Sequence, residues 1–297
     1  MIRTPFRAGT PSCATDHESR RMRGRSPLER TACAGTKPRR LACLLAATAA
    51  VLLSACASAP PAPEPQAGDD AWRDARQMVL VVTDDWEATT GTLRTFARDD
   101  AGQWREQGDA APVSIGRGGS GWGLGLHPPQ SGGPRKQEGD GRSPAGVFTV
   151  GEAFGYAAHA ATALPYAQMQ ADSWCMDVAG SPLYNRIVDA REVGADAVEG
   201  SSEPMRLDLH RNGDQGYRNG FVIEHNPAAR QGAGSCIFAH LWKAPGAPTA
   251  GCTAMADATM QRLYGWLQPQ AKPVFMLLPK AEYERLQAAW HLPPLHS

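Results

Sequence analysis

The chain has 297 residues, of which 30 are basic and 30 are acidic, so its formal net charge is zero. A balanced charge without a long block of one sign excludes an electrostatic case for nucleic acid as a partner. The length is enough for one or two domains with a sizeable core.

The N-terminal segment has the layout of a lipoprotein signal peptide. Basic residues precede the apolar run 41–55, which is shorter than the about 20 residues that span a bilayer. The run ends in "LSAC", which resembles a bacterial lipobox with Cys56 as the lipidated residue. We predict a signal peptide over 1–55, with Met22 as an alternative start; an ordinary signal peptide is the alternative reading.

The residues after Cys56 form a proline-rich stretch, "ASAPPAPEPQAGDD", which predicts an extended tether over 56–70. The following domain is expected to cover 71–297. The residue after the predicted lipidated cysteine is Ala57, and not the aspartate that would favour retention in the inner membrane. By resemblance to the sorting rules of Gram-negative bacteria, this predicts an outer-membrane lipoprotein on the periplasmic side of the envelope, held at the membrane by its lipid anchor.

Most of the domain reads as short strands. "MVLVVTDDW" and "GTLRTFARD" predict a hairpin that "QWREQGDAAPVSI" continues, because β-branched and aromatic residues partly alternate with polar ones. Further short apolar runs are "AGVFTVGEAFGY", "MRLDLH", "GFVIEHN", "GSCIFAHLW" and "PVFMLLP". Strands spaced in this way predict a mainly β fold of the sandwich or barrel-like kind.

Two helices are predicted in the C-terminal part of the domain. "DATMQRLYGWL" has apolar residues at helical spacing behind Asp257 as N-cap, and "KAEYERLQAAW" lies near the C-terminus. "ALPYAQMQADSW" is expected to be a turn or loop. The glycine-rich stretch Gly116–Gly146 lacks a phosphate-binding pattern and predicts either a flexible surface loop or a wall of a substrate site.

Three cysteines remain in the predicted domain out of 7 in the chain: Cys175, Cys236 and Cys252. An oxidising compartment allows one disulfide, and the count leaves three pairings open. Cys252 lies among small residues in "APTAGCTAM", a setting that leaves the sulfur reachable. This setting favours a Cys175–Cys236 bridge with Cys252 free.

Cys252 and His240 are the candidate nucleophile and base. His240 ends the predicted strand "SCIFAH", and Gly251 lets the backbone present amide hydrogens beside the thiol. A buried cysteine chosen for packing is the alternative. No Cys-x-x-Cys or His-x-x-x-His spacing supports zinc, so neither a metal nor a cofactor is predicted.

Three stretches resemble the L,D-transpeptidase catalytic domain family, also called YkuD-like: "FAHLWKAPGAPTAGCTAM", "KQEGDGRSPAGVFTVGEAFGY" and "DSWCMDV…SPLYNRIVD". The resemblance implies a β-sandwich with a capping helix next to the cysteine, Cys252 as nucleophile, His240 as base, and Thr249 and Gly251 as motif residues. The commoner motif has His before the glycine and Arg or Asn two positions after the cysteine. Here alanines occupy both positions, which marks a diverged branch.

The resemblance also implies a function. It predicts a thioester between Cys252 and a peptidoglycan stem tetrapeptide, followed by transfer to an amine of another stem or of an anchored lipoprotein. A hydrolase or carboxypeptidase of the same fold is one alternative, and a non-catalytic peptidoglycan-binding lipoprotein is another. A papain-type peptidase is disfavoured because the cysteine follows the histidine and no Cys-Gly-Ser-Cys-Trp pattern occurs.

Substrate-binding candidates come from the glycine-rich stretch and the motif: Trp122, Lys136, Arg142 and Thr249, with Glu138 and Asp140 nearby. Their side chains suit a polar peptide, although exposed loop charges are usually only solvated. His225, in "IEHN", reads as a structural histidine. Trp174, Tyr184 and Asn185 fit either the family resemblance or packing.

Overall fold

The structure is a computed structural model that describes residues 70–295. The predicted signal peptide, the lipidated Cys56 and most of the predicted tether lie outside the described residues. The described residues fall within one compact unit. None of the helices in 70–295 is long and apolar enough to cross a membrane.

Fourteen strands make up most of the regular structure in the described chain. They are β1 (Gln77–Thr83), β2 (Thr90–Arg98), β3 (Trp104–Glu106), β4 (Ala111–Ser114), β5 (Ser120–Trp122), β6 (Ser143–Gly155), β7 (Tyr166–Gln168), β8 (Ser173–Cys175), β9 (Ile187–Asp189), β10 (Glu203–Pro204), β11 (Asn219–Ile223), β12 (Phe238–Leu241), β13 (Thr253–Met255) and β14 (Val274–Pro279). The helices are α1 (Ala190–Val193), α2 (Leu207–His210), α3 (Asp257–Trp266) and α4 (Lys280–Leu286).

The main sheet closes on itself. Its order is β1-β14-β6-β11-β12-β13-β4-β2-β3, and β1 also pairs with β2, so that the path returns to its start. β5 and β7 add to β6, and a separate sheet has the order β10-β8-β9. This mixed, barrel- and sandwich-like sheet confirms the predicted mainly β class.

The predicted hairpin is confirmed: β1 and β2 pair antiparallel, with Val81 opposite Leu93. β1 and β14 are buried along nearly their whole length because both faces of this part of the sheet are covered. Tyr264 and Met260 of α3 and Tyr283 of α4 belong to the buried set beneath them. Burial of such apolar area is the main stabilising contribution to a fold of this kind, at about 25 cal/mol per Å².

Both predicted helices are present in the structure. α3 begins at Asp257, with Ala256 in the capping position, so Asp257 is a first-turn residue and not the predicted N-cap. Its carboxylate forms an ion pair with Arg218 at 3.0 Å, and a negative charge in a first turn suits the helix dipole. The C-terminal helix α4 follows β14 directly.

The strand predicted at "MRLDLH" is wrong, because residues 207–210 form the one-turn helix α2. Burial of Met205 and Leu207 mimics strand alternation, but Leu209 is 56% exposed and the His210 N–H donates to the Arg206 carbonyl. Arg206 and Asp208 also form a bidentate ion pair at 2.8 Å across the turn. A single turn is too short to show helical periodicity in a sequence.

The glycine-rich stretch is not simply a flexible surface loop. It contains β5, and an isolated bridge joins Trp122 to Arg135. The Gly116 and Gly118 amides donate to the Ser143 hydroxyl and to the Gly141 carbonyl, so one part of the stretch folds back on another. Small residues permit this close approach of backbone segments.

Two buried histidines make the fold sensitive to acid. His127 accepts the Val147 N–H at Nδ1 (3.0 Å), and His225 accepts the Leu124 N–H at Nδ1 (3.2 Å). Burial lowers the pKa of both rings from 6.5 to about 4. The unfolded chain therefore binds protons between pH 6.5 and 4 that the folded chain does not. The stabilising contribution is complete above pH 6.5 and is lost as the pH falls toward 4.

We expect His225→Gln to make the free energy of unfolding less dependent on pH over this range, by up to about 1.4 kcal/mol per pH unit. Urea unfolding at several pH values measures this slope. The slope must be compared between variants, because Glu203 also contributes to it. Burial raises the pKa of Glu203 to about 7, so its contribution to the free energy of unfolding falls as the pH rises, whereas that of the histidines increases. The exposed His159→Gln is the control, and an identical slope in His225→Gln and native protein would contradict the prediction.

Candidate active site

Two adjacent parallel strands bring the candidate cysteine and histidine to one face of the sheet. In the register of β12 and β13, Ala239 lies opposite Thr253 and His240 lies opposite Ala254. Cys252 directly precedes β13 and so lies level with Phe238. Because side chains alternate between faces along a strand, those of His240 and Cys252 fall on the same side.

The Cys252 thiol is buried, with only 7% of the residue exposed, and it is the free cysteine of the described chain. Its sulfur accepts the Phe238 N–H at 3.3 Å and lies 3.5 Å from the Cys236 carbonyl oxygen, to which the S–H donates. Burial, followed by the charge of Glu203, raises the pKa of the thiol to about 12. The resting group is therefore a thiol.

His240 is oriented by its own strand. Its Nδ1 lies 2.8 Å from the Leu241 carbonyl oxygen, which can only accept, so Nδ1 carries the proton and Nε2 has the free lone pair. The ring packs edge-on against Tyr217, with centroids 5.1 Å apart. Burial lowers the pKa of His240 to about 4. A neutral imidazole with a free Nε2 is the form that can accept a proton.

Hydroxyl groups shape the loop that carries Cys252. The Thr249 hydroxyl donates to the Cys252 carbonyl at 2.6 Å and accepts the Gly251 N–H at 3.1 Å. The buried Ser143 hydroxyl donates to the same carbonyl at 3.0 Å and accepts the Gly116 N–H. Thr249 thus orders the loop, and the Gly251 amide is already engaged, which leaves the Cys252 amide as the candidate oxyanion donor.

Gly251 has a backbone conformation that favours glycine, with φ of 154°. A Cβ at this position would also come within 3.0 Å of the Arg142 carbonyl oxygen. Both observations explain why the residue before the cysteine has no side chain. They also show that the backbone of Arg142 packs closely against the loop that carries Cys252.

A cavity of about 500 Å³ contains the candidate groups. Cys252, His240, Gly251, Thr249 and Lys136 all line it, together with Glu138. The buried Lys136 ammonium is held by Asp140 at 2.6 Å, and its positive charge lowers the pKa of Cys252 against the effect of burial.

Two predicted substrate residues are placed elsewhere. Trp122 is 3% exposed, packs edge-on against Trp86 and does not line the cavity. Arg142 directs its guanidinium to the carbonyls of Trp86 and Ser120, so that it braces the loop and does not line the cavity. Contact of either residue with a substrate stays a prediction, and the structure shows only that neither side chain lines this cavity.

His225, which was interpreted as structural, and the three residues that fit either the family resemblance or packing all make contacts within the fold. His225 holds the Leu124 amide and lies 2.9 Å from the Ala233 carbonyl. Asn185, in the left-handed region, accepts the Cys236 N–H at 2.9 Å. Tyr184 donates to Glu138, and Trp174 packs on His210.

A disulfide joins Cys175 to Cys236, with a sulfur–sulfur distance of 2.07 Å, which is the pairing that the setting of Cys252 favours. It connects β8 of the small sheet to the segment leading into β12. Cys236 has a positive φ of 55°, which explains why the predicted strand "GSCIFAHLW" begins only at Phe238. Since the Cys236 carbonyl contacts the Cys252 thiol, the bridge also fixes one wall of the site.

We expect removal of the bridge, in a Cys175→Ala/Cys236→Ala variant, to lower the free energy of unfolding by about 2–5 kcal/mol. The bond closes a loop with a sequence separation of 61 residues, which limits the unfolded chain. Urea denaturation measures the loss, with Cys252→Ala as the control that removes a buried sulfur but keeps the bridge. Equal stability of the two variants would contradict the prediction.

Two cavity residues have no recognisable signal in the sequence. Tyr217 is 4% exposed, and its hydroxyl donates to Glu203 at 2.5 Å. Burial raises the pKa of Glu203 to about 7. Glu203 and Tyr217 stand on different elements, β10 and the segment before β11, so only the tertiary structure brings them together.

The fold and the site together define a class of protein: a closed, mixed β-sheet that presents a free cysteine and a neutral histidine to one cavity. The sequence profile of the L,D-transpeptidase catalytic domain, YkuD, matches residues 81–276. The chain belongs to this family, whose members are typically cysteine L,D-transpeptidases that act on peptidoglycan stem peptides. Comparison with curated proteins and with solved structures gives no significant match.

Proposed function

We propose that the protein is a cysteine L,D-transpeptidase in which Cys252 forms a thioester with a peptidoglycan stem tetrapeptide and passes it to an amine. The observation that carries the proposal is the pairing of the free Cys252 with the Nε2-unprotonated His240 in one cavity of a YkuD domain. The family match supports the substrate class, and the geometry supports the chemistry.

The acylation step begins from a neutral pair. Sγ attacks the carbonyl carbon between the L-centre of diaminopimelate and D-alanine, while the thiol proton moves to Nε2 of His240. The Cys252 amide is the proposed donor to the oxyanion. The C–N bond then breaks, the His240 proton moves to the departing D-alanine amine, and a thioester remains.

The transfer step reverses these roles. An amine of a second stem, or of an anchored lipoprotein, attacks the thioester and gives its proton to His240. The C–S bond breaks, its electron pair returns to sulfur, and the proton restores the thiol. Attack by water in place of the amine makes the same site a carboxypeptidase or hydrolase.

Mass spectrometry of muropeptides incubated with the protein tests the proposal, with Cys252→Ala as the matched control. Release of D-alanine with formation of cross-linked dimers supports transfer. Release of D-alanine with incorporation of one oxygen atom from labelled water would show that the site hydrolyses the thioester and does not transfer it to an amine. No Cys252-dependent product, together with alkylation no faster than in the denatured chain, would overturn catalysis in favour of a binding protein.

We further propose that the protein is an outer-membrane lipoprotein facing the periplasm. The lipobox-like "LSAC" and Ala57 after Cys56 support this location. The native protein is expected to partition into the outer-membrane fraction, whereas Cys56→Ser should remain as an unprocessed precursor or be released. Unmodified Cys56 in the mature native protein would refute the proposal.

A further inference from the structure

Positive side chains line the cavity that contains Cys252, and most of them are held by partners. Among the described residues they are Arg117, Lys136, Arg211 and Lys243. Lys136 is paired with Asp140 at 2.6 Å, and Lys243 is paired with Asp214 at 2.9 Å. Arg211 donates to the Ser202 carbonyl. The guanidinium of the exposed Arg117 has no hydrogen bond or ion pair with any residue in 70–295.

The carboxylates that line the cavity show the same contrast. In Glu138, Asp177 and Asp214, both oxygens have partners in the described chain. In Glu203, Oε1 accepts the Tyr217 hydroxyl at 2.5 Å, but Oε2 accepts no hydrogen bond from a described residue and is not fully buried. One cation and one carboxylate oxygen in the cavity are therefore open to a ligand.

Arg117 is fixed against the loop that carries Cys252. Its N–H donates to the Thr249 carbonyl at 2.8 Å, and the Thr249 hydroxyl donates to the Cys252 carbonyl. The Arg117 side chain lies on Gly141, where a Cβ would come within 3.0 Å of its Cγ and 3.2 Å of its Cζ. The stem of this side chain is thus supported, while its N–H groups remain free.

Glu203 lies on the opposite side of the candidate nucleophile and base. In the sheet, β13 stands between β12, which carries His240, and β4, which leads to Arg117. The loop of Cys252 enters β13. On the β12 side, Tyr217 packs against His240 with centroids 5.1 Å apart and donates to Glu203. The reactive pair therefore lies between a positive group and a negative one.

We propose that the cavity orients two substrates by charge: Arg117 binds a carboxylate of the donor stem, and Glu203 binds the ammonium group of the acceptor. This orientation rests on the proposed function, since it assigns a side of the cavity to each substrate of that reaction. The bound ammonium loses one proton to water before it attacks the thioester. The second proton passes to His240, as in the transfer step.

The chemistry of the two groups supports these roles. A guanidinium matches a carboxylate with two parallel N–H donors, and hydrogen bonds between ionised groups are stronger than neutral ones. The commoner motif has polar side chains at the positions of Ala250 and Ala254, and both alanines line the cavity. Arg117 therefore supplies, from the neighbouring strand connection, a charge that the motif of this chain lacks.

The donor side is tested by the rate of D-alanine release from the tetrapeptide and from two neutralised forms. One form has a D-alanine carboxamide, and the other has an amidated diaminopimelate side chain. We expect native kcat/KM to be about 10- to 100-fold lower on the form that lacks the bound carboxylate. Arg117→Gln should lose the same factor on the unmodified tetrapeptide and nothing further on that form, which identifies the carboxylate.

The control for Arg117 is Arg135→Gln, because Arg135 lies in the same glycine-rich stretch but does not line the cavity. This variant should discriminate between the charged and neutral forms as the native protein does. Undiminished discrimination in Arg117→Gln on both neutralised forms would overturn the donor side.

The acceptor side is tested by the ratio of cross-linked dimer to hydrolysed product, which form from the same thioester. Glu203→Gln should lower this ratio by about tenfold with a stem amine, which is cationic near neutral pH. The ratio of hydroxamate to hydrolysed product with hydroxylamine, which is uncharged there, should change little. Near-UV circular dichroism checks folding, which Glu203→Gln should preserve because an oxygen remains for the Tyr217 hydroxyl.

The control for Glu203 is Glu152→Gln, which removes a carboxyl outside this cavity and should keep the native ratio. An unchanged ratio in Glu203→Gln, or an equal loss with hydroxylamine, would overturn the acceptor side. Hydrolysis without any dimer in the native protein would overturn it as well.

Equilibrium binding separates this orientation from the proposed function. Fluorescence anisotropy of a labelled tetrapeptide with Cys252→Ala measures carboxylate recognition without a thioester. Weaker binding of a neutralised form, abolished as a difference by adding Arg117→Gln, would support the donor side even if the native protein released no D-alanine, a result that rejects the proposed function alone. Native release of D-alanine without discrimination between charged and neutral forms would reject the orientation alone and leave Arg117 as a solvated side chain.

Discussion

Replacing Cys252 by alanine is expected to lower the release of D-alanine from tetrapeptide muropeptides by about 10⁴-fold or more, the scale on which loss of a nucleophile acts. No other described cysteine is free to replace it, because Cys175 and Cys236 are bridged. Cys252→Ser should also fail, since a hydroxyl gives up its proton less readily than a thiol. Quantitative mass spectrometry of the released D-alanine measures both variants.

Folding of the Cys252 variants is checked by urea denaturation, which should change little relative to loss of the disulfide. The substitution to alanine removes one sulfur and its contacts with Phe238 and Cys236. Native activity in a folded Cys252→Ala protein would show that this thiol is not the nucleophile.

Replacing His240 by alanine is expected to reduce turnover by about 10²–10⁴-fold, the usual contribution of general acid–base catalysis. The loss is expected because the substitution removes Nε2, the ring nitrogen that is free to accept the thiol proton while Nδ1 donates to the Leu241 carbonyl. Initial rates on purified tetrapeptide muropeptides measure the effect.

The control for His240 is the exposed His159→Ala, which should keep native rates. His240→Ala also removes a ring contact of Tyr217, so the free energy of unfolding is measured alongside turnover. Turnover within about twofold of the native rate in folded His240→Ala would show that His240 does not carry the proton.

The strand-rich fold could be predicted because its signals are local. β1 is a continuous run of mostly β-branched and apolar residues, and β2 partly alternates between apolar and polar ones. The one-turn helix at 207–210 could not be predicted, because buried Met205 and Leu207 are two positions apart, as in a strand. Short elements are decided by tertiary contacts and not by local periodicity.

The site was predictable only where its residues belong to one motif. His240 and Cys252 are near in sequence and lie on neighbouring strands, so their meeting follows from local reasoning. Glu203 reaches the same cavity on the small sheet and Tyr217 on the segment before β11, so no spacing in the sequence reveals their contact. In the glycine-rich stretch, the burial of Trp122 and the bonding of the Arg142 guanidinium to backbone carbonyls depend on tertiary contacts that the sequence does not show.

The pairing of β1 with β14 has a consequence for how the chain is made. Val79 of the first strand lies beside Phe275 of the last, so one edge of β1 has no neighbour until nearly the whole polypeptide has been produced. Contacts so distant in sequence slow folding, and an unpaired strand edge invites association with other chains. A fragment that is released from the ribosome and ends before Val274 should therefore aggregate, whereas in a chain that includes β14 this strand pairs with the open edge of β1.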